Sequence, residues 1–546
     1  MKTPITKFND NYNIYFWIFL VTLVGSFEIN YLFYDVSESP DFNKYSGYFD
    51  YFFQIQETTE REQGLLYYYL QSLNLKLFYS QYLFSEIILH KSILFVNFLI
   101  YIVGIIGFYK LLSFMKFNKH NIFLTMTFLN FFPPVIALRI TLKPELLAFA
   151  MLPWIVFFLE SYSKEKKIIF IYKAIPFAVA SLSTKGNALV ILSMYLIFVY
   201  GKLILKNYNK NILFAILIFL LLFILVTLEN NLANKKNIFD IQSGSSQEEN
   251  YDYKASPSVI YRTNLFKLFT SPIKHSHANS FIAITLLETT GDYFDIYWDN
   301  DGVSYFKNRK SLFVFKESNQ IVAPEINFNE GLVTIYQQRI TDVYVRESLG
   351  MIISLLLYLQ LFRLIFFDPN YRKYYIAVLF GMVIILFHAI SGFPKNNFDP
   401  LVGDTFKPIY YSFVLIFSFI FLICRALELK IIKPIHIFLY TILILFILGF
   451  PKYNDENLQS SLYQNIQESK LCFIEKNIYL NSSQFDELNC NNKLSEIAPM
   501  ENKYNFKIIP INTLVLLIIL LITYKEILRN TVVALFFLNL KSKIIR

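Results

Sequence analysis

The sequence predicts an all-α polytopic membrane protein, because its composition and the lengths of its apolar runs agree. Hydrophobic residues make up 55% of the 546 residues and charged residues only 17%, whereas ordinary soluble domains carry about 25% charged residues. The apolar residues come in blocks of roughly 16–22, close to the about 20 residues that a helix needs to cross the hydrocarbon layer. These features exclude disordered, collagen-like and disulfide-scaffold proteins.

Hydropathy places about twelve transmembrane helices along the chain. They are expected at 14–34, 92–112, 121–138, 145–160, 168–183, 187–205, 211–228, 348–367, 374–391, 409–424, 434–450 and 508–524. The chain then divides into an N-terminal transmembrane module (1–228) with a first outer loop (35–90), a large loop (229–346), further helices (347–450), another loop (451–507), and a last helix with a tail (508–546). The run at 531–540 is too short to cross and is expected to form an interfacial helix.

Lysine and arginine in the short connections indicate the orientation. One set of connections is rich in these residues, and the alternate set carries only Arg139, Lys143, Lys185, Lys395 and Lys407. Both termini are therefore expected in the cytoplasm, and the three long loops outside, in a bacterial inner membrane. The net charge of +9 is then a topology signal with a contribution from anionic lipid, and no nucleic-acid partner is expected.

Positive charges at the outer ends of helices work against this topology, and a local anion explains them. Arg139, Lys143 and Lys185 lie at such ends, and a phosphate at the headgroup boundary is a natural partner for them. Glu145 is expected to pair with Arg139 or Lys143, with metal ligation as the alternative. Within the first outer loop, apolar and aromatic residues at helical spacing from Gly64 to Phe84 predict a helix along the membrane surface.

Four segments on the outer side carry a resemblance to a known family. They are Pro40–Tyr45 (PDFNKY), Gln63–Leu73 (QGLLYYYLQSL), Leu138–Leu147 (LRITLKPELL) and Ala180–Leu189 (ASLSTKGNAL). In order and topology they resemble GT-C glycosyltransferases of the protein O-mannosyltransferase and aminoarabinose-transferase type, over roughly residues 14–205. The chain departs from that pattern in having Glu145 where Asp is usual, Asn187 where Pro is usual, and no Pro-Pro pair before Leu65.

The resemblance implies an enzyme that moves a sugar from a polyprenyl-phosphate donor to a glycan, lipid or protein acceptor outside the cytoplasm. The implied reaction is an inverting single displacement, for which Asp41 is the expected general base and Asp35 the alternative. The departing phosphate needs cations or a divalent metal (Mg²⁺, Mn²⁺ or Ca²⁺). The residues expected to bind the lipid-linked sugar are Lys44, Tyr45, Arg139, Lys143, Glu145, Lys185 and Lys395.

Other residues of the outer loops suggest structural roles. Cys472 and Cys490 share the third loop and are expected to form a structural disulfide, because they face an oxidising compartment. Asp292, Asp295 and Asp299 belong to an acidic, aromatic-rich stretch that also includes Asp301. A solvated acidic turn is the favoured interpretation there, and a Ca²⁺ loop is the alternative, since the remaining ligand spacing is missing.

Other functional classes stay open on the sequence. A multi-pass transporter or lipid-linked oligosaccharide flippase is the main alternative, because about twelve helices is also a common transporter count. The sequence has no internal repeat, and its large one-sided loops are unexpected for a transporter. An O-antigen polymerase or ligase is the second alternative, with Arg339 and Arg346 as the suggestive pair. If Asp41, Arg139, Lys143 and Lys185 do not converge on one outward cavity, the transferase interpretation fails.

Overall fold

The computed structural model describes residues 9–33, 42–53, 63–78, 86–207, 209–233, 256–270, 277, 280–290, 330–391, 407–448 and 511–529. Regular secondary structure in these residues is helical, without strands. The helices are α1 (Asn9–Phe33), α2 (Phe42–Phe52), α3 (Leu65–Phe78), α4 (Glu86–Phe114), α5 (Lys119–Asn130), α6 (Pro133–Ile140), α7 (Glu145–Glu165), α8 (Ile169–Leu182), α9 (Gly186–Lys206), α10 (Lys210–Ala233), α11 (Leu265–Thr270), α12 (Phe281–Thr290), α13 (Glu330–Phe367), α14 (Arg372–Tyr375), α15 (Ala377–Ser391), α16 (Ser412–Glu428), α17 (Pro434–Leu448) and α18 (Ile511–Arg529). Short 3-10 turns cover Pro257–Ile260 and Pro408–Tyr411.

Eight helices of the described chain are long and apolar enough to cross a membrane, which makes this a multi-pass membrane protein. They are Ile14–Tyr31, Leu89–Phe114, Glu145–Glu165, Gly186–Lys206, Lys210–Ala233, Ser348–Phe367, Arg372–Ser391 and Pro408–Glu428. Each coincides with a predicted span. The predicted spans at 168–183, 434–450 and 508–524 contain shorter apolar helices, Ile169–Leu182, Pro434–Leu445 and Ile511–Tyr524. The count of twelve therefore stays a prediction.

The predicted span 121–138 is a broken helix. Helices α5 and α6 meet at an angle of 58° and count as a ninth span if they are taken together. Pro133 and Pro134 occupy the first two positions of α6, where a missing N–H is tolerated, whereas inside one continuous helix they would remove hydrogen bonds and clash with the preceding turn. The chain therefore ends α5 at Asn130 and restarts after Phe132.

The core of the bundle is built around α7 and α16. In each, 89% of the membrane-length window is buried, against 17% for α10 and 22% for α1. Helices that are apolar on every side and buried belong to a core, and those that are apolar and exposed face lipid. Helix α4 packs closely on α7 because it has Gly104 at the contact, where a Cβ atom would lie 2.9 Å from the Phe149 ring and 3.1 Å from Ala150 Cα.

One end of the bundle carries the basic connections, and we call it the basic end (114–119, 160–167, 200–207, 209–210, 367–375 and 425–434). Of its ion pairs, one joins α14 to α7, one joins α16 to the residue after α13, and one further pair lies within α16. Arg425 Nε lies 2.8 Å from Asp368 Oδ2 and its Nη1 lies 3.0 Å from Glu428 Oε2. Lys373 pairs with Glu160, which also accepts a 2.7 Å hydrogen bond from Tyr200 Oη.

Three features of the predicted outer loops differ from the simplest expectation. Helix α3 forms within the predicted surface helix, but much of it is buried by protein, from Leu65 to Tyr69 and again at Leu75. In the second loop, α12 is a buried apolar helix that packs on α13, α6 and the turn Pro408–Tyr411. Helix α13 begins at Glu330, well before the predicted span at 348.

Candidate functional site

A buried ion pair lies at the end of the bundle opposite the basic end. Glu145 opens α7 and is fully buried, and its Oε1 lies 2.6 Å from Lys185 Nζ. The Lys185 side chain is 18% exposed. Among the described residues, Glu145 Oε2 has no hydrogen-bond partner. The partner of Glu145 is therefore Lys185, where the sequence suggested Arg139 or Lys143. We call the surrounding segments the loop end (63–65, 139–145, 183–187 and 407–411).

Helix dipoles explain why these two charges need each other. Glu145 lies in the first turn of α7, where the positive end of the dipole favours a carboxylate. Lys185 is the N-cap residue of α9 and its side chain does not cap the helix, so the same effect opposes its charge. The Glu145 carboxylate offsets that repulsion and the loss of water around Lys185. The pair thereby holds a cation at a helix N-terminus, a position that suits an anionic ligand.

The segment between α1 and α4 reaches this pair through Gly64. Its N–H donates a 2.8 Å hydrogen bond to Thr184 O. A Cβ atom at position 64 would lie 2.0 Å from Ser183 O, so only glycine allows this approach of two backbones. The N-terminus of α3 is also capped, because Leu65 N donates a 3.1 Å hydrogen bond to Asn230 Oδ1 of α10. The start of α3 is thus held directly beside the residues that precede Lys185.

Asn97 of α4 connects α3 to the turn between α6 and α7. Its Oδ1 accepts hydrogen bonds from Tyr67 Oη (2.7 Å) and Gln71 Nε2 (2.8 Å). Its Nδ2 donates to Arg139 O (3.0 Å) and Thr141 O (2.8 Å). The sequence analysis missed this residue. The available signal was a single amide in the apolar run SILFVNFLI, because polar side chains inside a span usually face protein partners.

Helix α2, which follows Asp41 in the chain, packs on α3 through tyrosines. The Tyr48 and Tyr68 rings stack with centroids 3.9 Å apart, and Tyr45 lies 6.0 Å from Tyr68. Tyr48 Oη accepts from Gln63 N (2.7 Å) and donates to Gln63 O (3.1 Å). Burial raises the pKa of the Tyr68 phenol well above its usual value, and Glu145 raises it further. Tyr68 is thus a neutral phenol near the Glu145 carboxylate, able to donate a hydrogen bond.

Arg139 points into the bundle. It is 1% exposed, and it donates to Ser26 Oγ (2.9 Å) and to Asn130 O (2.7 Å). Its guanidinium lies 4.8 Å from the Tyr101 ring. The carbonyl of Asn130 belongs to the last turn of α5, where a cation is favoured. Arg139 therefore stabilises the α5–α6 break, while Lys143, 5% exposed, lies in the turn that leads to Glu145.

The second half of the chain contributes through the turn Pro408–Tyr411. Asn187 Nδ2 donates a 2.6 Å hydrogen bond to Tyr410 O, and Asn187 Oδ1 accepts one of 2.9 Å from Ala188 N. Lys185 Nζ lies 5.6 Å from the centroid of the Tyr410 ring, within the range of a cation–π interaction. Asn187, which departs from the proline of the resembled family, thus ties α9 to this turn.

Several predicted site residues cannot be placed. Asp35, Asp41, Lys395, Cys472, Cys490, the acidic stretch 292–301 and the side chain of Lys44 lie outside the described residues. Within the described residues, no group of three or more His, Cys, Asp or Glu side chains could hold a metal ion. The general base, the disulfide and the divalent cation therefore stay predictions.

The described site therefore consists of one ion pair, four buried tyrosines (Tyr45, Tyr48, Tyr67 and Tyr68), and a set of hydrogen bonds and ring contacts. These contacts join α2, α3, α4, α7, α9 and the turn Pro408–Tyr411. No family model, curated protein or solved structure matches this chain.

Proposed function

We propose that the protein is a membrane glycosyltransferase that moves a sugar from a polyprenyl-phosphate donor to an acceptor at the loop end. The proposal places the loop end outside the cytoplasm and the basic end inside, in a bacterial inner membrane, as the distribution of lysine and arginine favours. The acceptor is a glycan, a lipid or a protein. The reaction is a single displacement with inversion at the sugar C1 atom.

One observation carries the proposal: the four segments with the family resemblance meet at one end of the bundle. Tyr45 of the first contacts Tyr68 of the second, and Gly64 of the second hydrogen-bonds Thr184 of the fourth. The third and fourth segments meet in the Glu145–Lys185 pair. The segments are separated by tens of residues in sequence. Their meeting supports a shared site, since unrelated loop motifs have no reason to converge.

The chemistry assigns a task to each type of side chain. The carboxylate of Asp41, or of Asp35, takes the proton of the acceptor hydroxyl as its oxygen bonds to C1. The C1–O bond to the phosphate breaks, and the polyprenyl phosphate leaves with the electron pair. Lys185 and Lys143 stabilise the negative charge that develops on that phosphate. Glu145 keeps Lys185 charged and oriented, and a divalent cation would assist the leaving phosphate.

The charge distribution favours this transferase over a transporter. Transporters of the inverted-repeat type bind their substrate near the bilayer midplane, between broken helices in two related halves. In the described chain, one broken helix pair, α5 and α6, is together long and apolar enough to cross a membrane. At its break, Arg139 donates hydrogen bonds to Ser26 and to the Asn130 carbonyl. The ion pairs at Glu145 and Glu160 lie instead near the helix ends at the two sides of the bundle.

The test measures release of polyprenyl phosphate, because this product is common to every acceptor. Membranes containing the protein are incubated with a panel of polyprenyl-phosphate sugars, with and without a chelator. We expect release with at least one donor. Asp41→Asn should lower the rate by about 10²–10⁴-fold, the usual range for loss of a general base. Asp50→Asn, on α2, is the matched control and should keep the rate.

The role of Lys185 can also be tested with a matched control, Lys167. Lys185→Met should lower the rate by about 10²-fold or more, as expected for removing one charge-stabilising group. Lys167 forms a comparable pair with Glu165 at 2.8 Å, but at the basic end and exposed, so Lys167→Met should leave the rate unchanged. Intact transport of the lipid-linked sugar without release of polyprenyl phosphate would favour the flippase. A Lys185→Met variant with the wild-type rate would show that Lys185 does not stabilise the phosphate and would refute a phosphate site at the loop end.

A further inference from the structure

Asn97 lies inside a span, and every hydrogen-bonding position of its side chain is used. It is fully buried, and its amide makes four hydrogen bonds of 2.7–3.0 Å. An asparagine side chain has two donor hydrogens and two acceptor lone pairs, so all four are used. A buried amide that is fully satisfied specifies one arrangement of its partners, since every alternative leaves polar groups unpaired.

The two sides of the amide hold different parts of the loop end. The oxygen side binds Tyr67 and Gln71, which are one turn apart on α3. The nitrogen side binds the carbonyls of Arg139 and Thr141, in the turn that leads to Glu145. The backbone of Lys143 also acts on the Tyr67 hydroxyl, so α3 and this turn lie close together. Asn97 is thus the point where α4 joins both segments.

We propose that Asn97 is a positioning residue that sets the turn 139–145, and with it Glu145 and Lys143, relative to α3. The inference deepens the proposed function and rests on it for its effect on catalysis. Asn97 makes no contact of its own with the Glu145–Lys185 pair among its hydrogen bonds. It acts by holding two backbone carbonyls of this turn, and a rotation of the turn would move the first residue of α7.

The amide suits this task better than the alternatives. An aspartate would still accept from Tyr67 and Gln71, but its ionised form has no hydrogen to give to the two carbonyls. A leucine would abolish all four bonds and leave buried groups on α3 and in the turn unpaired. Asn97→Asp therefore removes the turn side selectively, and Asn97→Leu removes both sides.

The same two helices offer a matched control. Asn74 of α3 donates a 2.6 Å hydrogen bond to Ser92 Oγ of α4. This bond joins α3 to α4 without involving the turn 139–145. Asn74→Leu should therefore loosen the contact between the helices in the same way, while the turn stays in place. A general loss of stability would affect both variants, whereas a loss of positioning would affect Asn97 variants alone.

Hydrogen exchange followed by mass spectrometry tests the positioning without relying on activity. In Asn97→Leu and Asn97→Asp, peptides that cover 139–147 should exchange about tenfold faster than in the wild type, the factor for losing about 1.4 kcal/mol of local stability. In Asn74→Leu, exchange should rise in 65–78 and stay at the wild-type rate in 139–147. Gln71→Leu removes a donor on the oxygen side of Asn97 alone and should also spare 139–147. Asn97→Asp keeps the test available if Asn97→Leu does not fold.

The kinetic measurement connects the turn to catalysis. At equal thermal midpoints, Asn97→Asp should lower kcat for release of polyprenyl phosphate by about tenfold or more, because small displacements of reacting groups are costly. Asn74→Leu should keep kcat. Unchanged exchange at 139–147 in both Asn97 variants would overturn the inference whatever the activity. If the wild type releases no polyprenyl phosphate, the proposed function fails while the exchange result still decides the positioning.

Discussion

Replacing Gly64 by alanine should separate α3 from the segment that carries Lys185. Gly64 lies where two backbones touch. A Cβ atom built there meets Ser183 O at 2.0 Å, Ser183 C at 2.9 Å and Thr184 Cα at 3.1 Å. All three are backbone atoms, so no flexible side chain can move aside. The 2.8 Å hydrogen bond from Gly64 N to Thr184 O is made at the same place.

The expected cost follows from these distances. Real Cβ contacts stay beyond 3.0 Å, so the two backbones must separate by at least about 1 Å. Overpacking of this kind usually costs about 1–3 kcal/mol. That separation also breaks the hydrogen bond to Thr184 O, which adds about 1 kcal/mol. Gly64→Ala should therefore destabilise the docking of α3 by about 2–4 kcal/mol. The release of polyprenyl phosphate should fall as well, because Lys185 follows Thr184 directly.

Gly47→Ala is the matched control for this experiment. Gly47 lies inside α2, in the same outer segment, and a Cβ atom there would have no neighbour within 4 Å. Alanine should stabilise that helix by about 0.5–1 kcal/mol, since glycine is a poor helix former. Thermal midpoints of both variants in detergent micelles, with hydrogen exchange of residues 63–72, measure the two effects. Equal midpoints for the two variants, or unchanged exchange at 63–72 in Gly64→Ala, would refute the packing argument.

Three further predictions address charges. The single variants Glu145→Gln and Lys185→Met should each lower the free energy of unfolding by about 3 kcal/mol, because each leaves a buried charged or polar group unpaired. The double variant should recover at least about 1 kcal/mol of that loss in a double-mutant cycle of thermal midpoints. It should stay inactive. Burial raises the pKa of Asp50 above 3.8, so the folded state holds that proton more tightly than the unfolded chain, and stability falls as the pH rises from 3.8 through the folded pKa. Asp50→Asn should remove this decline, as seen in thermal midpoints measured between about pH 4 and pH 7. Glu229 accepts hydrogen bonds from Asn512 N (2.6 Å) and Thr513 N (2.8 Å) at the start of α18. Glu229→Gln should therefore lower stability by about 1–2 kcal/mol and speed hydrogen exchange at residues 511–529. Unchanged hydrogen exchange there would show that the cap is dispensable.

The positions of the helices were predictable because the length of an apolar run determines whether it crosses a membrane. The break in 121–138 was harder to see, since hydropathy averages over Pro133 and Pro134 although their chemistry requires an interruption. Helix α12 was missed for a different reason. Its ten residues are too few for a span and lie between polar stretches, so the sequence alone resembles a loop. Its burial comes from packing on α13, which is a tertiary contact.

The charged residues of the site were predictable from the sequence, whereas the residues that they contact were not. Lys185 and Glu145 could be selected because charged residues at outer helix ends are costly and need a reason. Arg139 satisfied the same criterion, yet its side chain points elsewhere. Side chains on a helix lean towards its N-terminus, so an arginine at the C-terminal end of α6 reaches back to the α5–α6 break. Asn97 and Tyr410 carried no charge, and their roles depend on which helices approach each other.

A comparison of two buried carboxylates, Glu145 and Glu160, supports a location for the proposed substrate chemistry. At the basic end, Glu160 pairs with Lys373 and accepts a hydrogen bond from Tyr200. At the loop end, Glu145 pairs with Lys185, but its Oε2 has no partner among the described residues. A buried carboxylate oxygen without a donor costs about 1–3 kcal/mol or more, so a donor from outside the described residues, such as a water molecule or a substrate hydroxyl, is expected at Glu145 Oε2. In the proposed function a hydroxyl of the sugar supplies that bond, which favours the loop end as the place where the glycosyl group binds.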